Sequence, residues 1–133
     1  MDTEIRTDRH YTKDHEWAMA LSGGVFAVGV SDYAQHALGD IVMVELPDVG
    51  DTVDAGDAVA TIESPKSVSD VFSPLSGEIV EQNEALYDRP ETVNEAPFEG
   101  GWLFKIKASD PGEYDALMDA ERYKQHVASL EDA

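Results

Sequence analysis

The amino-acid sequence predicts a mainly β fold, a sandwich or a barrel, followed by one or two helices at the C-terminus. Two patterns predict it. From about residue 18, short runs of apolar and β-branched residues alternate with Gly, Pro, Asp and Ser turn signals at close spacing. Beyond Asp110 the apolar residues Tyr114, Leu117, Met118, Val127 and Leu130 recur at roughly helical spacing instead. A chain of 133 residues is expected to form one domain, and 42% hydrophobic residues fit a folded globular protein.

Each element follows from local signals. Ala18–Leu21 and Gly24–Val30 form a hairpin about Ser22-Gly23, where glycine supplies the positive φ. Ser31-Asp32 offers an N-cap for a short helix through Tyr33, Ala34, Gln35 and His36, stopped near Gly39. Ile41 to Leu46 is the next strand, ended by Pro47. Val49-Gly50-Asp51 and Ala55-Gly56-Asp57 are turns on either side of Thr52-Val53. Val59–Glu63 and Val68–Phe72 are strands joined by the tight turn Ser64-Pro65-Lys66-Ser67. Proline presets φ at the second turn position, so Lys66 falls at the third, on the hairpin tip. Ser76-Gly77 turns into Glu78–Glu81, and Gly101–Ile106 is the last strand. Asp110-Pro111-Gly112-Glu113 combines an N-cap acid with a proline at the first helical position, and Asp119 can cap a second helix. Trp17, Trp102 and Phe104 are expected in the core.

Composition excludes several function classes. Cysteine is absent, which removes disulfides, thiolate nucleophiles and cysteine metal sites. His10, His15, His36 and His126 lack a metal-ligand spacing and read as surface or packing residues, so no metal is expected. No Ser-His-Asp set, paired-carboxylate constellation or phosphate-binding glycine loop stands out, and no catalytic residue is assigned. The net charge is −19, from 28 acidic against 9 basic residues. That sign excludes nucleic acid and anionic membrane surfaces as partners. No apolar run reaches membrane-spanning length, and Met1-Asp2-Thr3-Glu4 does not read as a targeting peptide, so a cytoplasmic protein is expected. The acids are spread along the whole chain, which suggests a high-salt habitat, where screening shortens to roughly 3 Å at molar ionic strength. On that reading the melting temperature rises from dilute to molar salt, and a calorimetric series showing no rise would exclude it.

Lys66 stands out by isolation. In the 75 residues from Asp14 to Asp88 it is the only Lys or Arg, against 15 Asp and Glu. A turn lysine is by default a solvated surface group. Its solitude and its place at a tight tip make it, in addition, an accessible target for a modifying enzyme.

The segment Gly56-Asp57-Ala58-Val59-Ala60-Thr61-Ile62-Glu63-Ser64-Pro65-Lys66-Ser67 resembles the attachment hairpin of lipoyl and biotinyl domains, and Ser73–Val80 resembles the matching second half. The longer resemblance is to the glycine cleavage H-protein family. It runs through Tyr11-Thr12-Lys13-Asp14-His15-Glu16-Trp17, Ser31–Gln35, Leu38–Val42, Val44–Gly50, Val93–Pro97 and Gly100–Lys107, and covers about residues 9 to 127. The family often has valine at the position of Pro65 and alanine at that of Ser67; a rigid tip still presents the lysine.

This resemblance implies a flattened barrel-sandwich hybrid of two antiparallel sheets, with a short helix in the N-terminal half and a C-terminal helix or helices. Residues 1–10 read from the sequence as a flexible leader, and the resemblance implies 11–133 as a single lipoyl-carrier domain, a monomer without an active site of its own. Lipoic acid is then joined by an amide to Lys66 by lipoylating enzymes, which removes the lysine charge. Glycine decarboxylase, a PLP enzyme, delivers the aminomethyl group of glycine to the arm. An aminomethyltransferase passes the one-carbon unit to tetrahydrofolate, and dihydrolipoamide dehydrogenase, with FAD and NAD, reoxidises the dithiol. The resemblance also places Glu16 and Asp70 in the cleft that shelters the cationic amine, where a partly dry carboxylate holds it by charge-assisted hydrogen bonds. For Asp70, four residues past the lysine, recognition by the modifying enzyme is the other reading.

Competing readings differ in few residues. Biotinyl domains usually flank the lysine with methionines, and here Pro65 and Ser67 stand there. A lipoyl domain of a 2-oxo acid dehydrogenase is shorter and lacks the Tyr11–Trp17 segment. A lipoate relay, donating lipoyl groups to other enzymes, uses the same lysine. An unmodified interaction module would keep its activity without Lys66.

Overall fold

The computed structural model describes residues 3–131. Strand β1 (His10–Tyr11) leads into the hairpin of β2 (Glu16–Ala20) and β3 (Val25–Val30), turned by Gly23 and Gly24 at φ of 68° and 79°. Only glycine takes that backbone region without strain. Helix α1 (Asp32–Leu38) starts where expected: Ser31 Oγ accepts the Ala34 N–H at 3.2 Å, and Gly39 closes the helix at φ 80°. Strands β4 (Met43–Glu45), β5 (Thr52–Val53), β6 (Ala58–Glu63), β7 (Val68–Phe72) and β8 (Gly77–Gln82) follow. Then come the one-turn helices α2 (Ala85–Asp88) and α3 (Thr92–Glu95), strand β9 (Phe104–Ala108), and helices α4 (Gly112–Asp115) and α5 (Ala120–Glu131).

Two antiparallel sheets form, as the family resemblance implies. One has six strands in the order β1-β2-β3-β9-β8-β5, the other three in the order β4-β6-β7. The main core joins both: Val28, Ile62, Leu75, Ile79, Leu103 and Ile106 are fully buried in it. Because side chains alternate across a strand, Trp17 and Ala27 point to the other face of the large sheet. There, with Tyr11, Phe98, Tyr123 and Val127, they make a second cluster under α5. No described helix is long and apolar enough to cross a membrane.

Several expectations are corrected. Met1 and Asp2, at the start of the expected leader, lie outside the described residues. The rest of that segment is docked: Ile5 packs on the second cluster, and Arg9, 3% exposed, donates to Phe98 O at 2.8 Å. The strand expected over Ile41–Leu46 shortens to β4, since Ile41 N–H is taken by Asn94 Oδ1 at 2.9 Å. The last strand starts at Phe104 rather than Gly101. Gly101 lies against α3, where a Cβ would come within 2.8 Å of Ala96 O, so this stretch is a turn. Trp102 is only half-buried, with Lys105 Nζ 4.8 Å from its ring centre. At the C-terminus Asp119 Oδ1 accepts Arg122 N–H at 2.9 Å and caps α5, whereas the N-cap position of α4 is Pro111, not Asp110, whose Oδ1 accepts Gly112 N–H at 3.1 Å just ahead of the helix.

Candidate functional site

Lys66 sits on the tip of the β6–β7 hairpin. Backbone bonds between Ser64 and Ser67, at 2.9 and 3.3 Å, close a four-residue turn with Pro65 second and Lys66 third, as the sequence predicts. Pro65, Lys66, Ser67 and Val68 are all exposed, and Lys66 has no ion pair or side-chain hydrogen bond among the described residues. Nothing folds the amine back onto the protein.

The return strand leads from this tip to a cleft. Four residues on lies Asp70, paired with Thr61 on β6, and four strand residues span about 13 Å. Beside the edge strand β7 is a cavity of about 140 Å³, lined by Glu16, Val30, Tyr33, Ile62, Ser69 and Asp70 among others. The structure thus brings together Glu16 and Asp70, which come from opposite sheets, and leaves Lys66 outside at arm's length.

Glu16 is the chemically unusual member. It is 2% exposed, yet no Lys or Arg pairs with it among the described residues. One carboxylate oxygen accepts the Thr12 hydroxyl at 2.5 Å and the other accepts the Phe72 N–H at 3.2 Å. Burial pushes its pKa up to about 6, against these two hydrogen bonds, which pull it down. Asp70, at the mouth, is exposed. His15 also lines the cleft, with an unusual φ of 73°, and its Nδ1 lies 2.8 Å from Tyr123 Oη on α5. Burial, and after it the charge of His126, holds the His15 ring below its ordinary pKa. Thr12, His15, Tyr33 and Ser69 received no site role from the sequence. Their only signal was that Thr12, His15 and Tyr33 lie in segments shared with the family; Ser69 had none.

The raised pKa fixes the sign of a pH effect. Folded Glu16 binds its proton more tightly than the unfolded residue, whose ordinary value is 4.5. The contribution of this group to stability is therefore full below pH 4.5 and is lost as pH rises through about 6, a change of about 2 kcal/mol. In Glu16→Gln that component is gone. Urea unfolding of both proteins across this window is expected to show the difference between them changing by about that amount; parallel curves would contradict it.

A wider groove of about 410 Å³ lies on the outer face, lined by Arg6, Arg9, Trp17, Trp102 and Lys105 among others. Its cations are already engaged: Arg9 with Asp8 at 2.8 Å, Arg6 with Glu99 at 3.4 Å and Lys105 with Glu81 at 3.2 Å.

The family model described as glycine cleavage H-protein matches residues 9–130. The chain is 53% identical over 127 residues to the glycine cleavage system H protein of Alcanivorax borkumensis, covering 96% of this chain and 98% of that one. It is 52% identical over 126 residues to that of Thermus thermophilus, covering 95% and 98%. Among solved structures it is similar to a glycine cleavage system H protein from Mycobacterium marinum, with a TM-score of 0.85, 42% identity, and 93% and 99% of the two chains covered.

Proposed function

The chain belongs to the glycine cleavage H-protein family, and from that premise we propose that it carries a lipoyl group on Lys66, with Glu16 and Asp70 forming the cleft that receives the arm. The protein is a carrier subunit of the glycine cleavage system. The observation that supports the site assignment is the pairing of an exposed, unengaged lysine at a rigid tip with a buried carboxylate one strand-length away.

The residues fit the group. A primary amine with no partner is open to acylation, and Ser64 and Ser67 hold the turn closed on either side of it. A bound lipoyl group supplies a reducible cyclic disulfide that carries a one-carbon unit and electrons between enzymes. The chain supplies no cysteine, so no protein thiol competes with that disulfide in exchange. Glu16 contributes negative charge in a space largely shut off from water, where attraction to a cationic amine is stronger than in bulk solvent. Asp70 adds a second carboxylate at the mouth. Ile62, Val30 and Val71 line the cleft with apolar surface that excludes water. The partners in this reading are the PLP-dependent decarboxylase, the tetrahydrofolate-dependent aminomethyltransferase, dihydrolipoamide dehydrogenase and the lipoylating enzymes.

Intact-mass analysis of the protein from its native host, with peptide mapping, tests the assignment. The expected result is one lipoyl group, located on Lys66. An unmodified Lys66 in cells that are making other lipoylated proteins would overturn it.

A further inference from the structure

We infer that Thr12 is a positioning residue, which holds the Glu16 side chain in its anionic form and aims it into the cleft; this rests on the reading of Glu16 as the carboxylate that receives the arm. The argument is an inventory. A threonine hydroxyl has one proton to donate and two lone pairs to accept with. Here both lone pairs are taken from the backbone, by Asp14 N–H at 3.2 Å and Glu16 N–H at 3.2 Å. The proton that remains lies on the 2.5 Å contact to Glu16 Oε1. The other oxygen, Oε2, faces the Phe72 N–H, which can only donate. A protonated Glu16 would need an acceptor for its own proton. Phe72 N–H cannot serve, and Thr12 could do so only by releasing a backbone N–H. Both partners therefore select the ionised carboxylate.

The hydroxyl is fixed in place by the chain around it. Thr12 N–H donates to Glu16 O at 2.9 Å, and Thr12 O accepts His15 N–H at 3.1 Å. This tight loop is the one that puts His15 at φ 73°, the only positive φ at a non-glycine among the described residues. Strain of that kind persists where the surrounding bonds over-determine the conformation.

Among the described residues no Lys or Arg pairs with Glu16. The titratable groups facing Glu16 are Asp14 and His15 from its own loop, Tyr33 from α1, Asp70 from β7 and Tyr123 from α5. Of these Asp14 and Asp70 carry negative charge, and His15 is held toward its neutral form by burial. Burial and the Asp14 charge both oppose ionisation of Glu16. Hydrogen bonding opposes them, most from Thr12, then from the Phe72 N–H and least from the backbone N–H of Glu16 itself; the Thr12 contact is shorter than that from Phe72.

The test is the titration of Glu16 itself, followed by carboxyl carbon NMR on the full, unmodified chain. In Thr12→Val, which keeps the shape and removes the hydroxyl, the midpoint is expected to rise by about one pH unit. Thr12→Ser is expected to restore it. A merely structural threonine would leave the midpoint in place in any folded variant. Should Thr12→Val not fold, the wild-type chain gives a second readout: the Thr12 hydroxyl proton is expected to exchange slowly above the Glu16 midpoint and quickly below it. The underlying reading has its own arm, the hydrolysis rate of the loaded carrier in Glu16→Gln. A rate equal to wild type would remove the role of the cleft carboxylate, whatever the titration shows. An unmoved midpoint in folded Thr12→Val, or hydroxyl exchange indifferent to pH across it, would overturn the assignment of Thr12.

Discussion

Lys66→Arg is expected to abolish carrier activity while leaving the fold untouched. In a glycine cleavage reaction reconstituted with the partner enzymes, turnover should fall to that of a mixture lacking this chain. Arginine keeps the positive charge, the length and the exposure of the tip. What it loses is the amine: a guanidinium stays protonated in proteins and is no acyl acceptor at neutral pH. The arm is then never attached, and mass analysis should find the variant unmodified in a host that modifies the wild type. Lys66 is exposed and makes no ion pair or side-chain hydrogen bond among the described residues, so stability should stay within about 0.5 kcal/mol, as for other surface substitutions. An unchanged urea midpoint together with lost turnover is the pattern that assigns the effect to chemistry. Retained turnover would mean that the arm sits elsewhere or that the chain works without one.

What could be read from the sequence divides by the range of the interaction. The Lys66 tip, the Ser31 cap and the Asp119 cap were legible because each is decided within four residues by turn and capping chemistry. The isolation of Lys66 was legible too, as a simple count of charges along the chain. Glu16 was different. One of 28 acids, it was singled out only by likeness to a family, since its burial depends on β7, whose Phe72 lies 56 residues away. The docking of residues 3–10 was hidden for the same reason. Arg9 reads as a polar residue in a charged leader until Trp17 and Phe98, far apart in sequence, flank its guanidinium at 4.5 and 5.1 Å. The two one-turn helices α2 and α3 have no side-chain N-cap bond. They are held by tertiary contacts at Leu86 and Val93, which are buried in the main core. Local propensity carries little signal for such elements.

Trp17→Ala should cause the largest loss of stability, about 3–5 kcal/mol, and the position of the ring explains why. Trp17 is 1% exposed and pairs across the hairpin with Gly29. The ring lies so close over that glycine that a Cβ there would come within 2.6 Å of it. Its indole N–H is shared between Val30 O and Pro97 O, each at 3.1 Å, and so ties β3 to the segment after α3. Truncation leaves a ring-sized void, two weakened carbonyl acceptors, and a buried Arg9 with one aromatic face instead of two. These effects fall on neighbouring groups and should not simply add. Domains of this size have about 5–15 kcal/mol of total stability, so the variant is expected to unfold at a much lower urea concentration with a similar slope. Trp17→Phe, which keeps part of the packing and loses the N–H and one ring of the indole, should cost clearly less. Adjacent side chains on β2 face opposite ways, so Trp17 anchors in the second cluster the strand from which Glu16 reaches the cleft. If the Trp17→Ala urea midpoint matched wild type, the second cluster would be a covering layer, and the placement of Glu16 would have to rest on Thr12 and Phe72 alone.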